Sequence, residues 1–91
     1  MQSIKLILPP FSFMVDEARV DVLEISRSRL IDGSEMYHVV IRVNYKGVTS
    51  RAYTLDVRDG DDLVYKATVE VNKIKWFEYI YGLNELRKVI S

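Results

Sequence analysis

The sequence predicts an α+β domain: an antiparallel β-meander of three long strands, with room for a short N-terminal fourth, packed on a long C-terminal α-helix plus a short terminal helix. Three observations carry this reading. Apolar residues alternate with polar ones from Met36 to Val57, Asp32-Gly33 and Lys46-Gly47 punctuate the strands, and from Asp61 onward a spacing of three to four replaces the spacing of two.

Each element has its own justification. Ile4 to Leu8 reads as a short strand ended by Pro9-Pro10, because proline lacks a ladder donor and constrains its neighbour. Phe11 and Phe13 are then expected to tuck under the sheet. From Ala18 to Ile31 β-branched residues dominate, and the apolar parity switches from Val20 and Val22 to Leu23 and Ile25. A pleated strand has period two, so the switch calls for a bulge near Val22-Leu23 or for burial on both faces. Asp32-Gly33 marks the following turn.

The next strand places Tyr37, Val39, Ile41, Val43 and Tyr45 on one face and His38, Arg42, Asn44 and Lys46 on the other. Beyond Gly47 the apolar positions Tyr53, Leu55 and Val57 are again odd-numbered. A loop of Tyr45, Lys46 and Gly47, with Gly47 left-handed, pairs odd with odd and sets Val39 opposite Tyr53 and Tyr37 opposite Leu55.

Leu63 to Val71 satisfies two patterns. It alternates as a fifth strand would, yet on a helix it aligns Leu63, Ala67, Val71, Ile74 and Tyr81, with acidic residues before it and Gly82 at the C′ position. Length favours a helix from about Asp61 to Tyr81, since ~20 residues at ~1.5 Å rise match strands of ~10 residues at ~3.3 Å. Asn84 would cap a separate short helix from Glu85 to Ile90. Residues 1–91 form one domain without repeats or linkers.

Composition narrows the function. Thirteen basic and thirteen acidic side chains cancel, so any electrostatic recognition rests on a local patch. The absence of cysteine removes disulfides, thiolate metal sites and cysteine nucleophiles and fits a cytoplasmic location. The apolar run at the N-terminus is short for a membrane span and lacks the marks of a signal peptide. Sparse Asn and Gln lean toward a thermophile's composition.

Catalysis finds no support at this level. His38, the lone histidine, has no carboxylate or nucleophile at a recognisable spacing, and four glycines provide no phosphate loop. Asp59, Asp61 and Asp62 are explained by turn formation and by capping through Asp61, which leaves Asp56 over. No enzymatic role, metal, cofactor or small-molecule substrate is expected.

Two surfaces remain. On a helix, Val64, Tyr65, Val69, Trp76 and Ile80 lie away from the sheet-facing stripe, and a second subunit is the natural cover for a helix apolar on all sides. The expected function is thus a non-enzymatic interaction module, a homodimer closed through Val69, Trp76, Tyr79 and Ile80. The alternative is nucleic-acid binding by a basic hairpin, using Arg42, Lys46 and Arg51 with Arg27 and Arg29 and the neighbouring tyrosines.

Overall fold

The computed structural model describes residues 8–90, with side chains as far as Ile80. Among these residues, five antiparallel strands form one sheet: β1 (Phe11–Val15), β2 (Ala18–Arg29), β3 (Glu35–Tyr45), β4 (Val48–Thr49) and β5 (Tyr53–Val57), followed by a single helix, α1 (Gly60–Ile90). The strands run in the order β1-β2-β3-β4, and β5 continues along the same side of β3. This is the expected α+β meander on a long helix.

The first strand described, β1, follows the prolines. Leu8 is exposed and outside any strand, and the rest of the expected strand from Ile4 falls outside the described residues. Phe11 and Phe13 reach the core as members of β1, opposite Val22 and Val20, instead of tucking beneath the sheet. A tight turn with Asp16 at φ 52° joins β1 to β2. The parity switch in β2 is a bulge: its register against β3 shifts between Val22 and Glu24. One extra residue there puts Val22 and Ile25 on the same buried face.

The β3–β4 hairpin corrects the expected register. Its loop is two residues, Lys46 and Gly47, both at positive φ (49° and 78°), and Tyr45 pairs with Val48. Positive φ at both positions matches the right-handed twist of the strands, and this preference outweighs the parity that a longer loop would preserve. The chain restores parity later, between Thr49 and Tyr53. There Val43 and Ser50 form a closed pair in which the Ser50 N–H donates to the Val43 carbonyl (2.8 Å) and the Val43 N–H donates to the Ser50 hydroxyl (2.9 Å). β5 then pairs Ile41 with Tyr53, Val39 with Leu55 and Tyr37 with Val57. Relative to the expected pairing the register moves by two residues, so every side chain keeps its face.

The helix starts one step earlier than expected and with a different cap. Asp59 accepts from the Asp62 N–H (2.9 Å), while the Asp62 carboxylate accepts from the Arg58 N–H (3.0 Å). Asp59, rather than Asp61, thus caps the first turn, while the Asp62 carboxylate holds the N–H of Arg58 just before the helix. At the other end α1 passes through Gly82 to Ile90 as one helix of 31 residues, so the separate terminal helix is not formed. A single glycine inside a helix costs only ~1 kcal/mol, too little by itself to end a long one.

Leu63, Ala67 and Val71 are buried against the inner face of the sheet, and Ile74 packs at its margin. Between the layers lie Val20, Val22, Val39, Ile41, Val43 and Val57, all fully buried. Tyr53 borders this core, and burial together with the neighbouring Glu70 carboxylate pushes its phenol up to about 12.

Candidate functional site

The residues of α1 divide by angle. At 100° per residue, Leu63, Ala67, Val71 and Ile74 form one stripe toward the sheet, and Tyr65, Val69, Asn72, Trp76, Tyr79 and Ile80 fall on the opposite side. Lys75 marks the last described tie between helix and sheet layer, its Nζ 3.3 Å from an Asp16 carboxylate oxygen in the β1–β2 turn. The helix then continues past the sheet. Trp76, Phe77, Tyr79 and Ile80 are all exposed, with Trp76 at 63% and Tyr79 at 59%. The Trp76 and Tyr79 rings stack at 5.7 Å between centroids and 22° between planes, forming one continuous aromatic surface. Val64, Tyr65 and Val69 extend the exposed apolar area back toward the start of the helix. An aromatic surface of this extent on a helix face marks an association site more often than a solvated surface.

Among the described residues, the lysines of this helix are already compensated within the chain. Lys66 lies 3.5 Å from Asp62 and also donates to the Asp56 carbonyl, and Lys73 lies 3.0 Å from Glu70.

The basic residues fall into two groups at opposite ends of β3. Arg27 pairs with Glu35 (3.6 Å) near the β2–β3 turn, and Arg29 lies at the same end. Lys46 sits in the β3–β4 turn, its ammonium 5.4 Å from the centre of the Tyr45 ring, and Arg51 follows Ser50, which is bonded to Val43, so that it lies across the strand from Arg42. Arg42 is on the open face of the sheet, its Nε 3.9 Å from Asp21 and without a hydrogen bond. Tyr37 and Tyr45 are buried on the inner face, away from Arg42.

The open face holds two polar groupings that sequence spacing did not reveal. Asp21, only 9% exposed, accepts from the Ser12 hydroxyl (2.7 Å), Arg19 Nε (2.9 Å) and the Asn44 amide (2.7 Å). These bonds, that from Ser12 foremost, hold its carboxyl below the ordinary value of 3.8 against the opposing effect of burial. One strand further along, His38 Nδ1 lies 2.7 Å from Asp56 and Nε2 lies 2.9 Å from the Ser28 hydroxyl. The leftover Asp56 thus has a partner. The expected register would set His38 opposite Thr54, so an error of two residues hid this pair; Asp56 is its cross-strand neighbour.

Ser28, His38 and Asp56 have the order of a nucleophile, base and orienting carboxylate. They stand on an exposed sheet face, with side-chain exposure of 36% at His38 and 61% at Asp56, and the ladder N–H groups around them point along the sheet. The trio ties β2, β3 and β5 together. Among the described residues no group of three or more His, Asp or Glu could hold a metal ion, and no helix is long and apolar enough to cross a membrane. The chain matches no protein-family model, no curated protein and no solved structure.

Proposed function

We propose that this protein is a non-enzymatic interaction module that self-associates as a homodimer through the outward face of α1. The observation that carries the reading is the exposure of Trp76 and Tyr79, with Val69 and Ile80 beside them, on the helix side turned away from its own sheet. Water excluded from such rings contributes ~25 cal/mol per Å², and a central tryptophan is the residue type that most often dominates an interface. A zero formal net charge and in-chain pairing of the nearby lysines leave little repulsion between two copies.

Light scattering on the purified chain checks this. The wild type should show twice the monomer mass at micromolar concentration. Trp76→Ala should weaken association by ~2–4 kcal/mol, on the order of 30- to 1,000-fold, and yield monomers with unchanged helicity. A well-folded variant that retains the wild-type mass would overturn the assignment.

A further inference from the structure

The geometry points to a parallel, in-register two-stranded coiled coil as the form of this association, with Asn72 as the residue that sets its register. The inference rests on self-association through α1. Along the outward side of the helix the positions Tyr65, Val69, Asn72, Trp76 and Tyr79 are separated by four, three, four and three residues, and the same alternation continues in sequence with Leu83, Leu86 and Ile90. Such 3-4 spacing is the heptad pattern, in which Val69, Trp76, Leu83 and Ile90 occupy a positions and Tyr65, Asn72, Tyr79 and Leu86 occupy d positions. A helix unbroken through Gly82 lets all eight share one seam.

The seam lies about 160° around the helix from the stripe that packs on the sheet, so a partner helix can approach without displacing the sheet. Covering the exposed parts of Tyr65 (68%), Trp76 (63%) and Tyr79 (59%) together with Val69 and Ile80 removes roughly 500 Å² per protomer, at ~150–250 Å² for each whole aromatic residue. Two copies then bury about 1,000 Å², the size at which specific interfaces begin.

Asn72 decides orientation. It is the single polar residue in the seam, and its amide needs a polar partner once water is excluded. In a parallel, in-register pair it meets its own copy, and each of the other seven positions meets its counterpart. An antiparallel pair satisfies Asn72 only when centred on it, which places Leu86 and Ile90 beyond the start of the partner helix at Gly60. That arrangement also sets Lys73 beside its own copy, whereas the parallel one sets Lys73 beside Thr68 and Lys75 beside Ile80.

Because the chain contains no cysteine, single-cysteine variants report the register directly. Asn72→Cys and Tyr79→Cys should both form reducible disulfide-linked dimers under mild oxidation, and Glu78→Cys, off the seam, should not. Linking by Asn72→Cys alone would show the antiparallel pair and overturn the proposal. Dimer mass with linking at neither position would overturn the register and leave self-association standing, while a monomeric wild type would overturn both. Independently, Asn72→Val removes the amide that has to be paired and should loosen the register, so that Tyr79→Cys links less completely in that background than alone; unchanged linking would argue that Asn72 has no such role.

Discussion

Asp21 shows how a single carboxylate can organise an open sheet face. Ser12, Arg19 and Asn44 converge on it from three strands, and it keeps its charge because those donors outweigh the cost of burial. Its folded-state pKa is depressed, so its contribution to stability is fully present above the ordinary carboxylate value of 3.8 and is lost as pH falls through the lower folded value. Asp21→Asn should therefore destabilise the protein by ~1–3 kcal/mol near neutral pH, with a deficit that narrows in acid. Thermal melts of the two proteins from neutral pH down to about pH 2 measure this, and a deficit independent of pH would contradict it. None of the grouping was legible from spacing. Ser12, Asp21 and Asn44 are ordinary strand residues in sequence, and only the β1–β2 and β2–β3 pairings bring them together. Asp56 was different: it stood out as the one acidic residue that turn and capping chemistry did not explain, and its neighbour across the strand is His38.

At the level of elements, faces were legible and registers were not. Side-chain period two fixes which residues of β3 and β5 look inward, whatever the loop between them, and Tyr37, Val39, Ile41, Leu55 and Val57 all reach the core. Register depends on turn chemistry and on where an extra residue is inserted. The Val43–Ser50 pair, closed by a hydroxyl instead of a backbone carbonyl, carries no pattern that hydropathy would expose. The helix was legible from its inward stripe, though not its end. Gly82 reads as a stop by residue type, but the helix continues through it. Gly82→Ala should accordingly raise stability and helical content, by ~1 kcal/mol. Circular dichroism and thermal melting check the sign: a left-handed glycine at a helix terminus would give destabilisation instead.

For the molecule as a whole, shape follows from a mismatch of lengths. A helix of 31 residues spans ~46 Å, longer than the ~36 Å of β3, and it continues past Lys75, its last tie to the sheet layer among the described residues. A compact chain of this length has a radius of gyration of ~12 Å, against the 16.1 Å found here. The apolar surplus on α1 was visible in composition and periodicity, because an amphipathic helix needs one greasy stripe and α1 carries two. What no single chain displays is the identity of the cover. If that cover is a second copy, stability depends on concentration: a hundredfold dilution should lower the melting temperature by several degrees, at ~4–8 °C per kcal/mol for a domain of this size. A melting temperature that ignores dilution would point to a folded monomer.

The irregularities on the two sides of β3 have a consequence for what the protein avoids. One interrupts β2 between Val22 and Glu24, and the other separates β4 from β5 around Ser50, so the middle of the central strand is flanked by a kink on each side. Kinks of this kind increase local twist, and a strongly twisted ribbon is a poor template for stacking or for edge-to-edge growth into fibres. A chain so rich in valine and tyrosine thereby carries, in the middle of its sheet, a built-in obstacle to flat stacking.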